Sequence, residues 1–234
     1  MRILSYNIQA AIHSTSYLSY TWQWPRQILP NRAKTATLER IAAFINAFDV
    51  VCLQEIELGG LRNGFKSQAE QLLALTDFRH AAFQTNRRLS RLSLHGNLIL
   101  SKTPADVVLD TPLPGQIRGR GIIAVKSGDT VIATTHLSLG KLDQYRQLRY
   151  IRAALGEHPR VLLTGDLNCE RDAAALTILT DHHYRLLGDA TPTFPSWKPK
   201  KSLDHALAKG IAATSRVVPF HGSDHLPVDV RVYG

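Results

Sequence analysis

The sequence predicts an α/β fold in a single domain spanning residues 1–234. Three observations carry this expectation. Short apolar runs close on a polar or turn residue, as buried strands do. Between them lie longer segments with apolar residues on one helical face. No repeat, low-complexity tract or linker divides the 234 residues, and a chain of that length can bury a substantial core.

Ile3-Leu4 forms a first strand running into Asn7, and Ala10 to Lys34 reads as a long irregular stretch. Thr35 to Phe48 is expected to be helical, with Leu38, Ile41, Ala42 and Ile45 on one face. Val50 to Glu55 is a strand and Ser67 to Thr76 a second helix. Gly96 to Leu100 and Gly121 to Lys126 read as strands. The latter pairs with Thr130 to His136 through the hairpin signal Ser127-Gly128-Asp129. Leu142 to Leu155 is expected to be a helix whose stripe is Leu142, Tyr145, Leu148, Ile151, Arg152 and Leu155. Val161 to Asp166 is a strand and Asp172 to Thr180 a helix. Leu203 to Ala208, Arg216 to Phe220 and Val228 to Val232 complete the sheets.

Composition narrows the class. With 44% hydrophobic and 20% charged residues, the chain has the profile of a folded globular protein rather than a disordered one. No run of about 18 apolar residues occurs, so no membrane span is expected. The opening residues pass directly into the first strand without room for a signal peptide, which makes the cytoplasm the expected compartment. Two cysteines, Cys52 and Cys169, argue against a disulfide framework. The formal charge of +9 favours polyanionic partners such as nucleic acid, anionic lipid headgroups or phosphorylated small molecules, although many basic proteins have none of these.

The residues that close the strands define the chemistry. Asn7, Glu55, Asp166, Asn168 and Asp224 are hard oxygen donors. With His136 and His225 they suit magnesium, with manganese as the alternative. Zinc is disfavoured, because neither cysteine lies in a Cys-x-x-Cys pair and no His-Glu-x-x-His occurs. A hard cation held by few carboxylates leaves positions for phosphate oxygens. Asp204 and His225, a carboxylate and an imidazole, can form a base whose tautomer its partner fixes.

In order, Asn7, Gln54-Glu55, Gly96-Asn97, His136, Gly165-Asp166-Leu167-Asn168, Leu203-Asp204-His205 and Ser223-Asp224-His225 resemble the motifs of the endonuclease/exonuclease/phosphatase superfamily of metal-dependent phosphoesterases. Gly-Asp-x-Asn is common by chance; the ordered set spans nearly the whole chain and is specific. The resemblance implies a four-layer α/β sandwich, two mixed sheets face to face with helices on both outer faces and the site at one edge. It implies that Glu55 holds a Mg2+ ion with Asn7 and Asp224. It further implies that Asp204 orients His225, which activates or positions the attacking water. Asp166 and Asn168 would position nucleophile and phosphate, and His136 would donate to a phosphate oxygen. The expected activity is hydrolysis of a phosphodiester in nucleic acid or a phospholipid headgroup. The alternative is a phosphomonoesterase acting on a small metabolite or an inositol phosphate.

Substrate-binding candidates are Asn97, supporting the site from behind, and Arg118 and Arg120 in a Gly-flanked turn suited to bidentate phosphate contact. Trp197 joins them, in Thr193 to Ser202, a segment expected to follow the site rim with three lysines. Tyr17 to Lys34 interleaves Tyr17, Tyr20, Trp22 and Trp24 with Arg26, Arg32 and Lys34, a pattern for base stacking, a membrane interface or a packed loop. The Phe194-Pro195-Ser196-Trp197 stretch departs from the pattern of abasic-site DNA repair enzymes. It resembles instead the small bacterial members of the superfamily. His95, His205 and the His182-His183 pair read as bystanders.

Overall fold

Strands that are apolar on both faces need cover on both sides. The computed structural model, which describes residues 1–11, 32–60, 64–89 and 93–233, provides it. Its strands are β1 (Arg2–Asn7), β2 (Val50–Glu57), β3 (His80–Leu89), β4 (Ser93–Ser101), β5 (Asp106–Pro112) and β6 (Gly121–Ser127). They continue with β7 (Thr130–His136), β8 (Val161–Asp166), β9 (Arg185–Leu186), β10 (Asp204–Lys209), β11 (Ala213–Val217) and β12 (Val228–Val232). The helices are α1 (Arg32–Ile45), α2 (Gln68–Leu75), α3 (Lys141–Ala154) and α4 (Thr177–Thr180).

The strands form two mixed six-stranded sheets, ordered β11-β12-β1-β2-β4-β3 and β5-β6-β7-β8-β10-β9. Each is built around one parallel pair, β1 with β2 and β7 with β8, and the other pairings are antiparallel. Helix α1 lies between the strands of the first pair in the chain, and α3 between those of the second.

Packing follows from alternation. Ile3, Val50, Cys52 and Ile99 of the first sheet meet Ile123, Val125, Ile132 and Leu162 of the second between the layers. The opposite faces, with Leu4, Val51, Leu53 and Leu98, pack on Leu38, Ile41 and Ile45 of α1 and Leu72 of α2. Val131, Ala133, Leu163 and Leu207 pack on Leu148 and Ile151 of α3. This is the four-layer arrangement that the family resemblance implies.

Several elements differ from the sequence reading. The first helix begins at Arg32 and ends at Ile45, because Asn46 to Asp49 turn into β2. Asp172 to Thr180 is not one helix but a 3-10 turn, Ala174–Leu176, followed by the single turn α4. The strand expected at Arg216 to Phe220 is β11, three residues earlier at its start. Strands β3, β5 and β9 escape the apolar-run rule. The inward positions of β3 carry Ala82 and Gln84, and the edge strand β5 leaves Val107 and Val108 exposed. The stripe on α3 is also rotated. Leu148 and Ile151 are buried, with Leu155 just beyond the helix, but so are Gln144 and Gln147, while Leu142 and Tyr145 are 59% and 46% exposed. The two glutamines are drawn in by the loop between β7 and the helix. Gln147 accepts from Ser138 N and Gln144 donates to Ser138 O.

Candidate active site

A parallel pair ends both of its strands on the same side, and ligands gather outside those ends in α/β sheets. Here both pairs end in polar side chains at one edge of the sandwich. Asn7 closes β1, His136 closes β7 and Asp166 closes β8, with His136 and Asp166 directly paired in register. Asp204 opens β10 opposite Asp166. Glu55 stands at a bulge in β2, where the register to β4 shifts between Leu53 and Ile56, and its φ is 55°. That left-handed backbone, uncommon outside glycine, turns the glutamate out of the strand alternation. Gly165 (φ +142°) lets β8 approach β7 so closely that a Cβ would fall 1.9 Å from Thr135 O, which fixes Asp166 beside His136 through the backbone.

The turn that carries His225 is fastened to β1. Ser223 Oγ donates to Asn7 O at 2.6 Å, and His225 N donates to Ser223 Oγ at 3.1 Å. The 193–202 segment braces it from outside, as the sequence reading places it. Ser196 N donates to Asp224 O, Ser196 Oγ to Ser223 O and Leu226 N to Thr193 O. The Phe194 ring lies 4.9 Å from the His225 ring.

The side chains then converge. His225 Nδ1 donates to Asp204 Oδ2 at 2.7 Å, and Thr193 Oγ1 donates to the same oxygen at 2.5 Å. His225 Nε2 faces Asp166 Oδ2 at 3.7 Å, and His136 Nε2 faces that oxygen at 3.4 Å. Asn7 Nδ2 donates to Asp166 Oδ2 (3.1 Å) and to Glu55 Oε1 (3.3 Å), while His136 Nδ1 lies 3.6 Å from Glu55 Oε1. Asn168 N donates to Asp166 Oδ1, and Asn168 Nδ2 to Leu137 O, so Asn168 shapes the loop that presents Asp166.

Burial drives the electrostatics. It pushes Asp166 up to about 7, with His225 opposing and Asp204 adding to the rise. Burial works against a charged His225, but Asp204, Asp166 and Asp224 outweigh it and hold the ring well above the usual histidine value. His136 is driven down to about 3 by burial and by Arg120, and is neutral. Glu55 is crowded by protein although its side chain keeps 33% exposure at the crevice mouth. Burial would raise its carboxyl, but His136, His95, His225 and Asn7 bring it below the ordinary glutamate value.

The remaining predicted residues separate. Arg120 is half-buried and acts on Glu55, Asp166 and His136. Arg118 is exposed. Trp197 is half-buried in the rim segment, next to the exposed Lys198. Asn97 is fully buried and donates to Gly121 O and Gln84 Oε1 at 3.2 Å, bracing the strand start that follows Arg120. Asp224 is buried and acts on His225 and Tyr6. Tyr17 to Trp24 and Arg26 lie outside the described residues.

Sequence reasoning missed Thr193, Phe194 and His95. Thr193 and Phe194 carry no local signal, because what joins them to Asp204 and His225 is the fold of the rim. His95 lies 3.9 Å from Glu57 and acts on Glu55, whereas His205 is a bystander held by Cys169 O.

The donor chemistry fits a hard divalent cation. Four carboxylates, Glu55, Asp166, Asp204 and Asp224, gather against His225 and Arg120, and no thiol is among them. Asp204 Oδ1 is buried with no hydrogen-bond partner among the described residues. Asp166, Asp204 and His225 have ligating atoms within 4.8 Å of one another.

Residues 4–225 match the model of the Endonuclease/Exonuclease/phosphatase family. The chain belongs to that family of hydrolytic phosphoesterases. No functionally curated protein matches it by sequence. Among solved structures it is similar to an endonuclease/exonuclease/phosphatase from Beutenbergia cavernae, at 24% identity and TM-score 0.73, covering 100% of this chain and 72% of that one. It is also similar to a mannosyl-6-phosphatase from Bacteroides thetaiotaomicron, at 13% identity and TM-score 0.70, covering 100% of both chains. A sphingomyelinase C from Streptomyces griseocarneus aligns at 19% identity and TM-score 0.65, covering 98% of each chain. No helix among the described residues is long and apolar enough to cross a membrane.

Proposed function

We propose that this protein is a magnesium-dependent phosphodiester hydrolase. The observation that carries the reading is the Asp204–His225–Asp166 line, with Glu55, Asn7 and His136 on its far side. Glu55 would hold the cation with Asn7 and Asp224, which leaves the Asp166 carboxylate to the attacking water. When bound, the ion would neutralise charge developing on the phosphoryl oxygens.

The chain's own residues do the rest. Asp204 fixes the His225 tautomer and aims Nε2 at the Asp166 carboxylate. A water held between them attacks phosphorus in line with the leaving oxygen. Its proton passes to the His225–Asp166 pair as the new P–O bond forms and the ester P–O bond breaks. Neutral His136 donates one hydrogen bond to a phosphoryl oxygen, and Arg120 adds positive charge at the mouth. Asn168 keeps Asp166 aimed through the loop.

The test is release of p-nitrophenol from bis(p-nitrophenyl) phosphate and from p-nitrophenyl phosphate, with magnesium or with chelator. His225→Ala serves as the control against a contaminating hydrolase, and supercoiled plasmid is assayed for nicking in parallel. Magnesium-dependent diester turnover lost in the variant supports the reading. Turnover of the monoester alone would replace it with a phosphomonoesterase, and metal-independent turnover would remove the cation from it.

A further inference from the structure

The helix α3 stripe does not end where the core ends. Leu148 and Ile151 are buried against the second sheet, but Tyr145, one turn earlier, is 46% exposed, and Leu139 just before the helix is 73% exposed. Both line one wall of a cavity of about 600 Å³. Ala173, Ala174 and Ala175 line it too, beside the short turn that replaces the expected helix. Small side chains there leave the space open. A volume of this size suits a small ligand, and exposed apolar groups around a concavity mark a binding surface more often than chance placement does.

Its position gives it a role. Asn168 and Leu203 also line it, and they lie two residues after Asp166 and directly before Asp204. Asn168 N also donates to Asp166 Oδ1, so the cavity reaches the loop that presents Asp166. Its rim charges cancel, Lys141 and Lys201 against Glu170 and Asp172. A polyanion gains nothing there, whereas an apolar group gains the walls.

We infer that this cavity is the specificity pocket for a compact apolar substituent of the phosphoester, a ring or a short branched chain, seated between Tyr145 and the alanine turn. The inference rests on the phosphoesterase reading and names the substrate class for that site.

Calorimetry on the full chain tests it with diphenyl phosphate against dimethyl phosphate. Diphenyl phosphate is expected to bind about tenfold tighter or more, since burying a ring's apolar surface is worth at least that factor. Ala175→Trp, which fills the cavity, should erase the preference. Tyr145→Glu, at a side chain exposed enough to tolerate change, should reduce it without affecting folding. Equal binding of the two esters, or a preference that survives both variants, overturns the pocket. Stronger binding of dihexanoyl phosphatidylcholine than of diphenyl phosphate overturns its compactness. Bis(p-nitrophenyl) phosphate turnover is measured on the same samples. Turnover without a binding preference removes the pocket and spares the hydrolase, while preference without turnover on any ester removes the hydrolase and leaves the pocket as a binding site.

Discussion

The two sheets share one plan and divide the work unequally. In each, a parallel pair is joined through a helix, and an antiparallel strand flanks the second member on its outer side: β4 beside β2, β10 beside β8. At the site edge β4 carries Asn97 and β10 carries Asp204. Asn97 is spent on structure, its amide tied to Gln84 and Gly121. Asp204 is spent on chemistry, its carboxylate tied to His225 and Thr193. The first sheet supplies Glu55 from a bulge at the crevice mouth, where His136, His95, His225 and Asn7 outweigh burial and hold its carboxyl below the ordinary glutamate value, and where its side chain stays partly exposed. The second supplies Asp166 from a regular strand end, where burial raises its proton affinity. On the reading proposed above, one architecture thus makes a cation-facing half and a proton-handling half.

The sharpest way to break this comparison is to remove the same kind of group from each half. His225→Ala and Asp204→Ala should each lower kcat by roughly 10²-fold or more, the usual worth of a positioned acid–base group, with KM little changed in steady-state assays. Near-normal turnover in His225→Ala would shift proton transfer to Asp166 alone. Glu55→Ala should act differently, raising the magnesium concentration for half-maximal activity by about tenfold or more. An unchanged magnesium titration would take Glu55 out of the cation-facing half.

Asn97→Ala should lower stability to urea by about 1 kcal/mol, because Gly121 O keeps Thr135 Oγ1 but loses Asn97, and the buried Gln84 Oε1 loses that donor too. It should raise KM through the Arg120 turn while kcat changes less. A kcat loss as large as that of Asp204→Ala would erase the distinction between β4 and β10. The smallest effect concerns pH. The folded carboxyl of Asp166 sits at about 7, above its ordinary value of 3.8, so the folded state gains protons relative to the unfolded one and loses stability as pH rises between those values. Asp166→Asn should therefore raise the melting temperature of the metal-free protein at pH 8. The gain should fade towards pH 4, and a gain independent of pH would place the cost elsewhere.

The strand ends were legible in the sequence because apolar runs such as Val161-Leu162-Leu163 stop at a single polar residue, a pattern that burial on both faces imposes. The order of the polar residues then pointed to one site. What the sequence could not show depends on neighbours distant along the chain. The inward amide of Asn97 looks the same as a substrate-facing one until Gly121 is placed beside it. Ala82 and Gln84 hide β3, since neither is a large apolar residue. Tyr145 and Leu142 fit a core stripe by spacing alone. Only the pull of Ser138 on Gln144 and Gln147 turns them outward.

The order of strands along the chain has one more consequence. All of the second sheet, β5 to β10, is inserted between β4 and β11 of the first. The joints are short, residues 102–105 and 210–212, and Asn7 and Glu55 belong to the outer part while His136, Asp166 and Asp204 belong to the insert. Sliding of one layer over the other by an ångström would therefore disarm the enzyme while every strand stayed intact. Catalytic rate becomes the finest gauge of layer alignment, and in mild denaturant it should vanish before circular dichroism registers any unfolding.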